Sequence, residues 1–322
     1  QMKLSVVEPD QAVDIVPKIS EYANTQNKVN AADFFSNHPY HVRMENCSRR
    51  VFAPSPDGSF REDKWFYERA RGQYLDARGD RTAAERKKFD LEYPKAKKFA
   101  KTDLAKYLNV WRDRPHTVSK GAQKNFADFA QYVGTAWDKN SNQFNDLYYR
   151  QSIAKAIIFK GVEKLVSAQD WYEGGYRANI VAYAISKLSF DVKQVGSEID
   201  FDRVWRQQAL TPNLEAAFII GTKAVHDVIV APPPSVRNVT EWAKQELCWK
   251  RVKELNVPWP ESLRNEVLSS DEKKDNERSA VKTQKVMNGI EAQMAVVNAG
   301  AEFWAEAKAW AVDNRMLSST EL

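Results

Sequence analysis

The spacing of hydrophobic residues changes near residue 80 of the chain. Before it, short apolar runs are separated by turn signals, and the run Leu4–Val7 predicts a strand. Residues 9–24, which begin with a proline and carry apolar residues at helical spacing, predict a helix. Residues 30–33 resemble a capping box that opens a short second helix, and Asp57-Gly58 predicts the turn of a hairpin over residues 49–69.

From Arg81 onward, apolar residues recur with helical period almost to the end. The pattern predicts helices near residues 81–90, 102–112, 121–137, 143–167, 173–189, 201–208, 212–230, 239–255, 261–269 and 277–312. We therefore predict an α+β, predominantly α-helical fold. A small β-containing segment (1–80) precedes a large helical domain (81–322), and the proline run at 230–236 indicates a subdomain seam.

The last predicted helix has the clearest periodicity. Its apolar residues recur at alternating steps of three and four: Met287, Ile290, Met294, Val297, Ala301 and Trp304. This spacing predicts a seam along which another helix packs. The partner is either a helix of the same chain, which the short seam favours, or a second copy in a homo-oligomer.

Composition limits the class of protein. The 322 residues are 43% hydrophobic, carry a net charge of +5 and include two cysteines. No apolar run is long enough to span a membrane, and so few cysteines suit a reducing compartment, so we expect a cytoplasmic protein. Because the chain opens with Gln1 on an apolar segment, we expect it to be part of a longer protein.

The catalytic candidates are weak. Asp57, Glu62 and Lys64 are the residue types of a metal-dependent nuclease, in which acids bind Mg²⁺ and a lysine steadies developing charge. Asp57, however, lies in the predicted turn, which favours a solvated hairpin. His38 and His41 have the spacing of a helical metal pair, but Pro39 lies between them and no further ligands complete a site. We therefore predict no metal site and no cofactor; Mg²⁺ enters only with the nuclease alternative.

A basic stretch at residues 78–106 is the best nucleic-acid candidate. It holds ten Lys/Arg, including Lys87, Lys88, Lys97 and Lys98, against five acids, and aromatic residues are interleaved with them. Clustered cations bind phosphates, and aromatic rings stack on bases. The alternative is a helix pair whose aromatic side chains pack inward while its lysines are solvated.

The stretch "WFYERARGQY" (65–74) also has two interpretations. As a strand, it sends Trp65 and Tyr67 to one face and Phe66 and Glu68 to the other. One interpretation is structural, with Glu68 in a buried pair with Arg69 or Arg71. The other places polar side chains on a phosphate and a tyrosine ring on a base, using Arg69, Arg71, Gln73, Tyr67 and Tyr74.

Amide side chains cluster between the first two predicted helices. Asn24 and Asn30 suit helix capping. Gln26 and Asn27 have no such explanation, and amides can also bind the edge of adenine. These two residues therefore join the nucleic-acid candidates.

Several stretches, in order, resemble the abortive-infection phage-resistance (AIPR) family of prokaryotes. They are "ISEYANTQNKVNAADFFSNH" (19–38), "WFYERARGQY" (65–74), "LAKYLNVW" (104–111), "FNDLYYRQSIAKAIIFKGVEKLV" (144–166) and "NVTEWAKQELCWKRVKEL" (238–255). The resemblance implies phage defence, and it implies that the chain is a central-to-C-terminal portion. It implies no catalytic residue. We expect nucleic acid as the ligand; the alternatives are a scaffold that docks onto a companion defence enzyme and a metal-dependent nuclease.

Overall fold

The computed structural model describes residues 35–55 and 63–314, together with the single residues Ile15 and Met316. The strand predicted at Leu4–Val7, the capping box at 30–33 and the Asp57-Gly58 turn lie outside the described residues. The helix predicted at 9–24 also lies outside them except for Ile15, which is helical. The chain divides into two compact units, Gln1–Asp271 and Glu272–Leu322. The boundary expected near residue 80 and the seam at 230–236 stay predictions.

Helices dominate the first unit. Its α-helices are Pro39–Arg50, Gln73–Gly79, Ala83–Glu92, Lys101–Asn109, Pro115–Ser119, Ala122–Lys139, Asp146–Ser167, Arg177–Gln194, Phe201–Gln207, Pro212–Ile229, Val239–Ala243 and Glu246–Lys253. Short 3-10 helices cover Phe35–Asn37, Lys95–Lys97, Val110–Arg112, Ser141–Gln143 and Glu261–Glu266. The predicted α+β, predominantly helical class is confirmed.

Two small sheets lie among the described residues of the first unit. Phe66–Glu68 pairs in parallel with Lys98–Ala100, with Tyr67 opposite Phe99, and Ser197–Ile199 pairs antiparallel with Val267–Ser269. The predicted helix at 261–269 is wrong, because this stretch is a 3-10 helix followed by a strand. The predicted helix at 239–255 divides in two, Val239–Ala243 and Glu246–Lys253.

The hairpin predicted over residues 49–69 is wrong for most of its described length. Arg49 and Arg50 end a helix, and antiparallel pairing is limited to a single bridge between Phe52 and Lys64. The helix begins at Pro39, and the His38 side chain caps it by accepting a hydrogen bond from the Tyr40 amide. Proline is favourable in the first turn of a helix because its absent N–H would have no partner there. Pro39 therefore starts this helix, although it was predicted to prevent a helical pairing of His38 and His41.

Two clusters of buried side chains hold the first unit together. The large core is centred on the helices Asp146–Ser167 and Arg177–Gln194, and a small aromatic cluster contains Phe66, Tyr74, Phe89 and Tyr93. Alternation along the strand Phe66–Glu68 sends Tyr67 into the large core and Phe66 into the small cluster. This strand therefore joins the two clusters, which places the 65–74 stretch inside the protein.

The helix Ser270–Asp313 supplies nearly all of the described second unit. Gly300 interrupts it with a φ of 78° and a non-helical ψ, so the predicted seam is divided between two helical segments. Ile290, Met294, Val297 and Trp304 of this seam are all exposed, Val297 by 76%. The predicted helix at 277–312 is confirmed in position, but it is not continuous.

Candidate nucleic-acid interface

Tyr67 is a core residue in this structure. Its ring is fully buried, lies 5.1 Å from the Phe99 ring and stacks on His41, whose Nδ1 shares a hydrogen bond with the Tyr67 hydroxyl. Burial, followed by the nearby Lys101 charge, holds the His41 pKa well below its usual range. A ring enclosed in this way cannot stack on a base, so the stacking role predicted for Tyr67 is corrected to a packing role.

Tyr74 is also internal. Its ring packs at 5.0 Å from Phe66 in the small aromatic cluster, and its hydroxyl donates to the Tyr93 carbonyl at 2.8 Å. The Arg49 guanidinium covers the Phe66 ring at 3.7 Å from the centroid. The stacking role predicted for Tyr74 is corrected in the same way.

The predicted buried Arg–Glu pair exists, but with a different glutamate. Arg69 Nε donates to Glu45 at 2.8 Å, and the Glu45 side chain is only 15% exposed. Gln73 also contacts Glu45 through its amide, while its Oε1 accepts from the Arg69 amide at 3.0 Å. Glu68 instead pairs with Lys98 at 3.3 Å, so its predicted pairing with Arg69 or Arg71 is corrected. Arg69 and Gln73 are therefore committed to a structural network, and Arg71 remains exposed.

The helix Ala83–Glu92, called the basic helix below, presents a group of exposed cations, which Arg81 joins from just before the helix. Its acids all have partners: Glu85 closes a capping box with Thr82, Asp90 forms a two-pronged pair with Arg78, and Glu92 binds Lys64. The cations around them are exposed, and no ion pair involves them within the described part of the chain: Arg81, Arg86, Lys87 and Lys88.

Lys97 and Lys98 differ from this group. Lys97 Nζ lies 2.6 Å from Asp63, and Lys98 pairs with Glu68. Their charges are neutralised at close range, so they offer less attraction to a phosphate than the cations of the basic helix do. The exposed Lys87 and Lys88 therefore differ from the paired Lys97 and Lys98, although all four were predicted as one binding group.

The nuclease candidates are not assembled among the described residues. Asp57 and Glu62 lie outside them, as do the amide candidates Gln26 and Asn27. Lys64 is described and is buried, with its Nζ 2.9 Å from Glu92 and 4.2 Å from the centroid of the Phe52 ring. Lys64 therefore serves a structural ion pair. Among the described residues, no group of three His, Cys, Asp or Glu side chains has the arrangement of a metal site.

The structure also contains a cavity of about 560 Å³, called the Trp65 cavity below, that no sequence pattern indicated. Its lining includes Trp65, Lys160, Lys164, Gln208, Leu210 and Glu215. These residues come from separate parts of the chain, so no local pattern brings them together. Trp65, Lys160 and Lys164 lie in the stretches 65–74 and 144–166, but the sequence does not indicate that these residues meet.

The comparisons with known proteins give one match. The family described as AIPR protein matches residues 1–233, well over half of the chain. The chain therefore belongs to the AIPR family, which implies a role in abortive-infection phage defence. No curated protein and no solved structure matches it. No described helix combines the length and the apolar character needed to cross a membrane.

Proposed function

We propose that this AIPR-family chain acts in phage defence in the prokaryotic cytoplasm by binding nucleic acid on the basic helix. The observation that carries the proposal is the group of exposed cations on and just before that helix. Its acids are held by partners, whereas Arg81, Arg86, Lys87 and Lys88 are exposed and form no ion pair among the described residues. Cations of this kind release counterions from a phosphate backbone, which gives affinity that depends on salt and little on sequence.

The proposal narrows the predicted set of binding residues. Tyr67, Tyr74, Arg69 and Gln73 hold the interior together, so the basic helix binds the backbone without a tyrosine platform from the 65–74 stretch. Without base stacking, the contacts carry no sequence information, and the salt dependence is steeper for a duplex than for a single strand.

The test is fluorescence anisotropy with labelled duplex DNA, single-stranded DNA and RNA, titrated at several salt concentrations. The test variant is K87Q/K88Q. Each lost contact with a duplex phosphate reduces the magnitude of the slope of log K against log salt by about 0.9, so the double variant reduces it by about 1.8 for duplex DNA. The matched control is K124Q/K139Q, which removes two exposed lysines from the helix Ala122–Lys139. Equal slopes and affinities for the wild type and K87Q/K88Q would refute the proposal.

A second candidate function is docking to a companion defence protein through the helix Ser270–Asp313. The supporting observation is its exposed apolar surface, with Val286 62%, Val297 76% and Trp310 61% exposed. Exposed apolar side chains on this scale are typical of interaction surfaces. Light scattering on the purified chain separates the two uses of this surface: a dimer indicates self-association, whereas a monomer that co-purifies with a neighbour-encoded protein supports the scaffold function. Binding to nucleic acid alone would argue against docking.

A further inference from the structure

The Trp65 cavity has a rigid wall. The Trp65 indole Nε1–H donates to Gln208 Oε1 at 2.8 Å, and the Trp65 carbonyl accepts from Ser48 Oγ at 2.8 Å and from the Tyr149 hydroxyl at 3.3 Å. Gln208 itself has a φ of 51°, in the left-handed region that residues other than glycine rarely adopt. This conformation ends the helix Phe201–Gln207, as left-handed residues commonly end helices, and the hydrogen bond with Trp65 fixes the Gln208 side chain in the lining.

The cavity also has a cationic side. Lys160 Nζ donates to the carbonyls of Ala96 and Lys98, each at 3.2 Å, and lies 5.1 Å from the centroid of the Trp65 ring. These carbonyl partners are neutral and orient the ammonium group, while the nearby Asp103 and Glu163 carboxylates also face Lys106. Burial lowers the pKa of Lys160, and a bound anion would oppose that shift.

Lys164 extends this charge. It lies one helical turn after Lys160, so both side chains leave the same face of the helix Asp146–Ser167. Among the described lining residues Glu215 is the only acid, and Lys97, which also lines the cavity, is already bound to Asp63. The net charge of the lining is therefore positive, and two lysines line the same space.

The remaining lining is apolar. Ile157, Leu165 and Leu210 lie beside Trp65, and Gly161 permits the close approach of Leu210. A Cβ added at Gly161 would lie 3.1 Å from Leu210 Cβ, closer than an ordinary contact. A volume of about 560 Å³ with one apolar side and one cationic side suits a ligand that combines a flat, weakly polar ring system with a phosphate.

We propose that the Trp65 cavity binds a nucleoside phosphate, with Lys160 and Lys164 on the phosphate and the apolar side against the base. The phosphate is preferred over a carboxylate because two lysines match its higher charge. The basic helix contributes no residue to the lining, so this site is separate from the nucleic-acid surface proposed above. The ligand is either a free nucleotide or one nucleotide of a single strand, and both share this chemistry.

The experiment is isothermal titration calorimetry of the purified chain with AMP, ATP, adenosine, inorganic phosphate and a short oligothymidylate. The first variant, Lys164→Glu, reverses an exposed charge of the cavity, and its matched control is Lys124→Glu on another helix. The second variant, Ala168→Trp, fills the cavity from an exposed lining position and keeps both lysines. Thermal denaturation of each variant confirms that it is folded.

We expect saturable binding of a nucleotide or the oligonucleotide to the wild type, weakened roughly tenfold to a hundredfold by Lys164→Glu and by Ala168→Trp. The control should bind every ligand as the wild type does, and K87Q/K88Q should bind AMP and ATP as the wild type does. AMP or ATP binding that both cavity variants weaken identifies a free nucleotide as the ligand. Oligonucleotide binding that both cavity variants weaken, without AMP or ATP binding, identifies a nucleotide within a strand. The proposal is overturned if no phosphate-containing ligand binds, if both cavity variants bind normally, or if inorganic phosphate binds as tightly as AMP.

Discussion

The position of Tyr67 permits a test that separates a core residue from a nucleic-acid platform. Tyr67→Phe keeps the ring, which packs against Phe99 and His41, and removes only the hydroxyl. In the folded chain, the lost group leaves His41 Nδ1 without its hydrogen bond. His41 Nε2 already has no partner among the described residues, so the buried imidazole would have none for either nitrogen.

The expected loss of stability follows from the His41 nitrogen that loses its hydrogen-bond partner. A buried polar atom left without a partner costs about 1–3 kcal/mol, while the apolar contacts of the ring are unchanged. We therefore expect Tyr67→Phe to lower the free energy of unfolding by about 2 kcal/mol. At about 2–4 °C per kcal/mol for a protein of this size, the Tm falls by roughly 4–8 °C.

The assay combines thermal denaturation, followed by circular dichroism, with the anisotropy titration. The matched control is Tyr132→Phe, because Tyr132 is 42% exposed and its hydroxyl forms no hydrogen bond among the described residues. Tyr67→Phe should lower the Tm and leave nucleic-acid affinity unchanged at a temperature where it is folded. An unchanged Tm with weakened nucleic-acid binding would refute the core assignment.

Three further predictions concern the first unit. Because burial holds the His41 pKa well below its usual range, only the unfolded chain takes up a proton there as the pH falls through about 6.5. The free energy of unfolding, measured with urea, should therefore drop by up to about 1.4 kcal/mol per pH unit below that point. Equal free energies of unfolding at about pH 7.5 and about pH 5.5 would contradict this. Burial raises the pKa of the Cys47 thiol to about 12, so a thiol reagent should label it only after unfolding, and rapid labelling of the folded chain would show that the site is open. A Cβ at Gly221 would lie 2.6 Å from Trp259 ring atoms, so Gly221→Ala should lower the Tm by the equivalent of about 1–3 kcal/mol. Gly134→Ala, with no atom within 4 Å of the added Cβ, is its control and should leave the Tm equal or higher.

The sequence predicted the helices because their signal is local. Residues 212–230, for example, carry their own apolar period, and the helix Pro212–Ile229 follows from it. The alternation at 65–68 was also predicted correctly, since neighbouring side chains of any strand point to opposite faces. The local pattern did not show that both faces are buried, which is why Tyr67 remained a candidate for base stacking.

Only the tertiary structure decided which distant groups meet. Arg69 pairs with Glu45 in preference to a neighbouring glutamate, and the strand Phe66–Glu68 pairs with a later strand. The basic stretch divides in the same way, because Lys87 and Lys88 stay exposed while Lys97 and Lys98 find acids elsewhere in the chain. The Trp65 cavity exists only where separate segments pack together. Residue type and periodicity fix what a segment can form, but the charge and the space that remain available for a ligand depend on the partners that folding brings to it.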